Sequence, residues 1–188
     1  AWKYDMLIDR TIEDLQSRCS DDAVIVGYSG GVTSMVLSIL AKRALGDKAR
    51  FVFVDTGLAR ADEKDRAMQV FTNTIGGKLH IIDAQDEFFD ALKNITDSNQ
   101  KRLIVGERFI RVFEREAEAC GAVTLLLGSS YPSVVESGVH GVPVKAHHNV
   151  GAIPESTSFQ HIFHPLHELF KDEIRIIAKE LKCPHDYI

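Results

Sequence analysis

The run Ala23-Val24-Ile25-Val26 stops abruptly at Gly27-Tyr28-Ser29-Gly30-Gly31, and a helical stripe of Val36, Leu37, Leu40 and Ala44 follows at once. A short, β-branched, uniformly apolar run suits a strand covered on both faces, as in a parallel sheet. The same unit recurs along the chain. Phe51-Val52-Phe53-Val54 reads as a second buried strand, Leu79 to Ile82 as a third and Val123 to Leu127 as a fourth. Between them the periodicity turns helical. Ile8, Ile12, Leu15 and Cys19 form a first stripe, and Met68, Phe71 and Ile75 mark a helix from Asp62 to Ile75 closed by Gly76-Gly77. Leu103, Phe109, Ile110, Phe113 and Ala117 give one inward side to a long helix from Asn99 to Cys120. The helix after the first strand is expected to stop near Gly46, and a last one to run from about Lys171 to Leu181 with Ile174, Ile177, Ala178 and Leu181 inward. Alternating strands and helices predict an α/β fold: an open, mostly parallel sheet with helices on both faces, whose ligands bind at the carboxyl ends of the strands.

No repeat and no Pro- or Ser-rich linker divides the 188 residues, so a single domain over 1–188 is expected. With 45% hydrophobic and 26% charged residues, the composition fits neither disorder nor a membrane-embedded chain. A net charge of −5 provides no global positive field, so neither nucleic acid nor a membrane is expected as a partner, and any bound anion must be held locally. Cys19, Cys120 and Cys183 are odd in number and lack CxxC spacing; Cys120 and Cys183 end apolar helical faces, which suits packing in a reducing compartment. AWKYDMLIDR carries charges where a signal peptide needs an apolar core, and no apolar run reaches spanning length, so a cytoplasmic location is expected.

The chemistry concentrates after the first strand. In Ser29-Gly30-Gly31-Val32-Thr33-Ser34 adjacent glycines let the backbone turn tightly and bring its N–H groups to a phosphate, while the following helix start favours negative charge. Ser29 and Ser34 add hydroxyl donors that complete an anion cradle without a lysine. The pattern is neither GxxxxGK(S/T) nor GxGxxG, which argues against ordinary kinase-type NTPases and dinucleotide enzymes. Asp55 ends a buried strand where such folds bind ligands. Asp62-Glu63 and Asp86-Glu87 read as charge at helix amino termini. His161, His164 and His167 lie three apart, but Pro165 interrupts any helix that would align them on zinc. Residues 137 to 160 lose periodicity and gather Gly, Pro, Ser and His, the composition of a long functional or mobile loop.

The hexapeptide SGGVTS resembles the SGGxDS signature of the PP-loop ATP pyrophosphatases. Five further blocks, Phe53 to Leu58, Lys101 to Gly106, Tyr131 to Ser137, Val144 to Gly151 and Glu168 to Glu173, resemble in order the synthetase domain of GMP synthetase. The resemblance covers nearly the whole chain. It implies an adenine nucleotide alpha hydrolase-like fold and an ATP-dependent C–N ligase that adenylates xanthosine monophosphate (XMP), releases pyrophosphate and then aminates to GMP. It also implies ATP and Mg²⁺ as cofactors, XMP or another acceptor, and a glutamine amidotransferase that can reside on a separate subunit. Carried over by position, Ser29, Gly30, Gly31, Val32, Thr33 and Ser34 correspond to the phosphate loop. Val54, Asp55 and Gly57 correspond to the region near the adenosine, with Gly128 at the approach to the site. Lys145, His147 and His148 correspond to a catalytic lid over the phosphates, and Lys171 and Asp172 to a block near them.

Two positions depart from the family pattern. Thr33 and Ser133 stand where the family carries Asp, and both exchanges remove a carboxylate that would help anchor magnesium; Glu136 remains as a candidate metal ligand. Leu127 replaces part of a polar approach to the site, although Gly128 is kept. The family's amidotransferase and carboxyl-terminal dimerisation modules are expected to be absent from these 188 residues. Three functions therefore stay open: a GMP synthetase-type enzyme, an adenylating enzyme with another acceptor, and a noncatalytic nucleotide-binding or regulatory relative that has lost metal chemistry.

Overall fold

A computed structural model describes residues 2–19, 23–128, 157–185 and 188. Helix α1 (Trp2–Arg18) leads to β1 (Val24–Gly27), α2 (Val32–Leu45), a 3-10 turn (Gly46–Lys48), β2 (Ala49–Asp55), α3 (Ala61–Thr74) and β3 (Leu79–Asp83). There follow α4 (Gln85–Leu92), α5 (Ser98–Cys120), β4 (Thr124–Leu126), β5 (His161–Phe163) and α6 (Lys171–Glu180). The five strands form one sheet in the order β3-β2-β1-β4-β5, and every neighbouring pair is parallel.

Strand side chains alternate between two cores. Val24 and Val26 of β1 and Phe51 and Phe53 of β2 enter the core shared with α1, α2, α3 and α6. Ile25, Val52, Val54 and Leu125 point the other way, onto α4 and α5. Burial on both faces is why these strands read as unbroken apolar runs. The chain moves outward from β1 through β2 to β3, then returns to the other side of β1 as β4. The resulting switch between β1 and β4, at the strands' carboxyl ends, is where such sheets leave a crevice.

The expected α/β architecture is observed, with local corrections. Helix α2 is buried nearly all round from Thr33 to Ala41, so its stripe is wider than its spacing suggested. Leu103, expected inward, is 41% exposed, while Val105 and Val112 of the same helix are buried. Strand β5 was not foreseen, being three residues long with no fully buried side chain, whereas α4 begins where Asp86-Glu87 read as helix-start charge. Gly46 ends α2 at φ 59, and Ile174, Ile177, Ala178 and Leu181 do face the core. Among the described residues no helix is long and apolar enough to cross a membrane.

Candidate active site

The glycine turn joins β1 to α2 beside the β1/β4 switch. Tyr28 N–H donates to Val52 O at 2.9 Å, prolonging the β1–β2 ladder by one residue before the chain turns away. Gly30 then adopts φ 88, a left-handed conformation that costs little only for glycine, and Gly31 enters the helix with extended backbone. Ser34, fully buried, is the hub of the turn. Its Oγ accepts from Ser29 N–H and Ser29 Oγ, both at 3.1 Å, and donates to Gly31 O at 3.0 Å. Since each hydroxyl has one proton, the two serines spend theirs inside the loop. In this arrangement they shape the cradle from within. The helix N-cap, Gly31, makes no side-chain cap bond, so the first-turn amides of α2 remain the donors offered to a ligand.

Two contacts fix the turn from outside. A Cβ on Gly128, just past β4, would lie 3.2 Å from the backbone N and Cα of Ser34, so the end of β4 packs directly on the first turn of α2. Tyr28 is fully buried and its hydroxyl donates to Ala67 O at 2.9 Å, pinning α3 beside the turn.

Between the turn and α3 lies a cavity of about 360 Å³. Ser29, Gly30, Gly31 and Val32 of the turn line it together with Phe53, Ala59 and, from α3, Glu63, Lys64, Arg66 and Ala67. None of the α3 residues was foreseen at the site. The available signal was weak: a helix directly after the second strand, with its charges read as helix-end electrostatics.

Asp55 ends β2 with its side chain buried. Its carboxylate accepts from Gly57 N–H at 3.0 Å and Gln85 Nε2 at 3.2 Å, and pairs with Lys64 Nζ at 2.8 Å. Burial by itself would raise this carboxyl's pKa, but the Lys64 bond and the Gly57 amide outweigh it and hold it below its ordinary value. Gly57, at φ 76, turns the chain tightly against Gln85, whose side chain would lie 3.0 Å from a Cβ there.

The other expected residues are placed differently. Val54 packs into the core with α4 and α5 and does not line the cavity. Thr33 lies in the first turn of α2 and is buried. Lys171 and Asp172 are exposed in the first turn of α6, where Asp172 pairs with Arg175 at 3.3 Å, and neither lines the cavity. Lys145, His147, His148, Glu136 and Ser133 lie outside the described residues. The same holds for most of the 137–160 loop. Where the chain resumes, buried Glu114 of α5 accepts from Ser158 N–H at 2.7 Å and Thr157 Oγ1 at 3.0 Å, anchoring the approach to β5.

Among the described residues no three His, Cys, Asp or Glu side chains are grouped to hold a metal. His161 stacks on Phe163, while burial and the neighbouring His167 lower His164 to a pKa of about 4. Cys19 and Cys183 are buried free thiols and Cys120 is half-buried; burial pushes the Cys183 thiol up to about 11, as for a core residue and not a nucleophile.

No family model matches the chain. It is 44% identical over 182 residues to one subunit of the glutamine-hydrolyzing GMP synthase of Methanoregula boonei, covering 97% of this chain and 58% of that protein. Identity to the equally named subunit of Archaeoglobus fulgidus is 43%, over 95% of this chain and 57% of the relative. To the glutamine-hydrolyzing GMP synthase of Coxiella burnetii it is 43%, over 100% of this chain and 36% of the relative. The chain thus spans little more than half the length of the first two relatives and about a third of the last. Among solved structures, the NH3-dependent NAD synthetase of Campylobacter jejuni superposes with a TM-score of 0.73 at 17% identity, covering 98% of this chain and 76% of that one; this likeness speaks for the fold.

A parallel sheet of this order carrying SGGVTS at the end of β1 defines a PP-loop ATP pyrophosphatase. Within that class the chain belongs with the synthetase domain of GMP synthetase, to whose members it is homologous along its length.

Proposed function

We propose that this chain is a single-domain ATP-binding synthetase module of the GMP synthetase type, an ATP-dependent C–N ligase. The C2 oxygen of XMP attacks the α-phosphorus of ATP, the bond to the β-phosphate breaks, and pyrophosphate leaves. Ammonia then adds at C2 and AMP departs, giving GMP. The observation that carries this reading is the Ser29–Ser34 turn: uncapped helix amides beside a cavity of about 360 Å³ at the strands' carboxyl ends.

The residues contribute in different ways. The amides after Gly31 bind and orient the phosphates, and the left-handed Gly30 keeps side chains out of the nucleotide's path. Lys145, His147 and His148 close over the phosphates, with Lys145 countering charge on the leaving pyrophosphate. Gly128, against the first turn of α2, borders the phosphate end and Asp55 with Gly57 the adenosine end, while Lys171 and Asp172 stand outside the cavity at the start of α6. Ammonia comes from a glutamine amidotransferase on a separate chain, in keeping with the relatives that are named as one subunit of a glutamine-hydrolyzing enzyme.

Magnesium, with Glu136 as a ligand, belongs to the same proposal, but the described residues do not form its site. Thr33 offers a neutral hydroxyl and Asp55 is engaged by Lys64, Gln85 and Gly57. That neutrality favours, as second reading, a nucleotide-binding relative without turnover. Pyrophosphate release by the full chain, given ATP, XMP and ammonium, separates the two. Pyrophosphate and GMP formed in equal amounts support the ligase; ATP binding without either product supports the second reading. Absence of ATP binding refutes both.

A further inference from the structure

The α3 wall of the cavity presents two cations, Lys64 and Arg66, beside one carboxylate, Glu63, with Asp55 paired to Lys64 from outside the lining. The opposite wall, Ser29, Gly30, Gly31 and Val32, carries no formal charge. A polyphosphate lying against this wall loses part of its hydration, and amide dipoles alone offset only part of that cost. A cation held at the cavity is therefore a functional asset, and Lys64 is so held.

Lys64 is not simply a surface lysine. Its ammonium lies 2.8 Å from Asp55 Oδ2, and about a third of its side chain stays open while lining the cavity. Asp55 is itself held by hydrogen bonds from the Gly57 amide and the Gln85 side chain of α4. Those two donors already satisfy both carboxylate oxygens, so Lys64 is not required to keep Asp55 hydrogen-bonded. Asp55 therefore tethers the ammonium at the end of β2, from where the flexible stem reaches the cavity.

We infer that Lys64 binds the ligand directly, supplying the side-chain cation for a nucleotide's phosphates in the cavity beside the glycine turn, with Asp55 as its positioning residue. This rests on the ATP-binding reading and adds a ligand to it. Because the charge comes from a side chain, ATP binding persists in part when divalent metal is removed.

Calorimetric titration of the full chain tests it, with ATP and with adenosine in magnesium, and with ATP in excess chelator. Wild type, Lys64→Met and Lys64→Arg are compared, with thermal melts confirming that each is folded. Loss of a charge-assisted contact predicts ATP affinity about tenfold weaker or more in Lys64→Met. Adenosine affinity should stay within about twofold, since no phosphate is present to feel the charge. Lys64→Arg restores most of the loss. In chelator, wild type should retain measurable ATP binding and Lys64→Met should lose it. Unchanged ATP affinity in Lys64→Met, or an equal loss for ATP and adenosine, overturns the inference and leaves Lys64 as a strap between α3 and β2. If wild type binds neither ligand with magnesium, the ATP-binding reading itself fails; if it binds and only the variant comparison fails, that reading stands without Lys64.

Discussion

The glycine turn and the Asp55 corner sit side by side at the carboxyl ends of β1 and β2, yet they are built by opposite means. The turn is closed by residues at most five positions apart, through neutral hydroxyl and amide bonds. The corner joins the Asp55 carboxylate to Lys64, nine positions away, by an ion pair and to Gln85, thirty positions away, by a hydrogen bond. A local neutral motif is little affected by salt or pH and keeps its shape as the chain around it varies. A non-local ionic one can be rewired by substitution at any partner, and it responds to both salt and pH. The turn gives the cavity its shape, and the corner reaches that cavity through Lys64 alone.

The largest effect is expected from breaking the turn. Gly30→Val forces a β-branched residue to φ 88 and should cost about 2 kcal/mol or more, with ATP affinity lost. Thermal unfolding and nucleotide titration read the two consequences. Gly31→Ala is the matched control: its Cβ meets only Ser29 Oγ at 3.6 Å and its φ is ordinary, so stability should hold. Equal damage from both would mean that bulk, and not the left-handed backbone, governs the turn. Ser34→Ala ranks next. It removes an acceptor from Ser29 and a donor from Gly31 O in a fully buried site, a cost of about 1–3 kcal/mol by denaturant titration. A variant as stable as wild type would show that the loop does not depend on its serine hub.

The same division explains what could be read from the chain. The sheet was legible because strands buried on both faces announce themselves as apolar runs, and the turn because its bonds are local. Leu103 was misplaced because on a 23-residue helix a generous apolar stripe offers more candidates than the core admits. Strand β5 was missed since His161-Ile162-Phe163 is too short and too exposed to show a period. Lys64 and Glu114 were invisible as site and anchor residues for one reason. A charged side chain on a helix looks solvated until the fold brings Asp55 to the first and the Thr157–Ser158 segment to the second.

A third, smaller effect tests the ionic character of the corner. Asp55→Asn removes the charge while keeping the shape, and should destabilise by about 1 kcal/mol near neutral pH. The folded carboxyl titrates below its ordinary value of 3.8, so the charged form stabilises the fold above that pH and the benefit disappears as pH falls through the folded value. The gap between wild type and variant should therefore be constant from pH 7 to about 5 and close in stronger acid. A gap that widens on acidification would mean that burial, and not Lys64, dominates this carboxyl.

The smallest stability change is expected where charge is added behind the neutral turn, in the first turn of α2. Thr33 is 9% exposed in the first turn of α2, so it is a helix residue within the packed structure and not a solvated turn residue. An aspartate there gains from the helix amino terminus but loses hydration, two opposing terms of similar size, so Thr33→Asp should shift stability by less than about 1 kcal/mol. Its effect lies in binding. A carboxylate beside the phosphates repels ATP unless a divalent cation sits between them, so the variant should bind ATP more weakly than wild type in chelator and more tightly with magnesium. Adding Ser133→Asp should widen that difference. If wild type already shows tight, strongly magnesium-dependent binding that Thr33→Asp does not alter, the charge at this site is supplied elsewhere and the neutrality of the turn carries no consequence for metal.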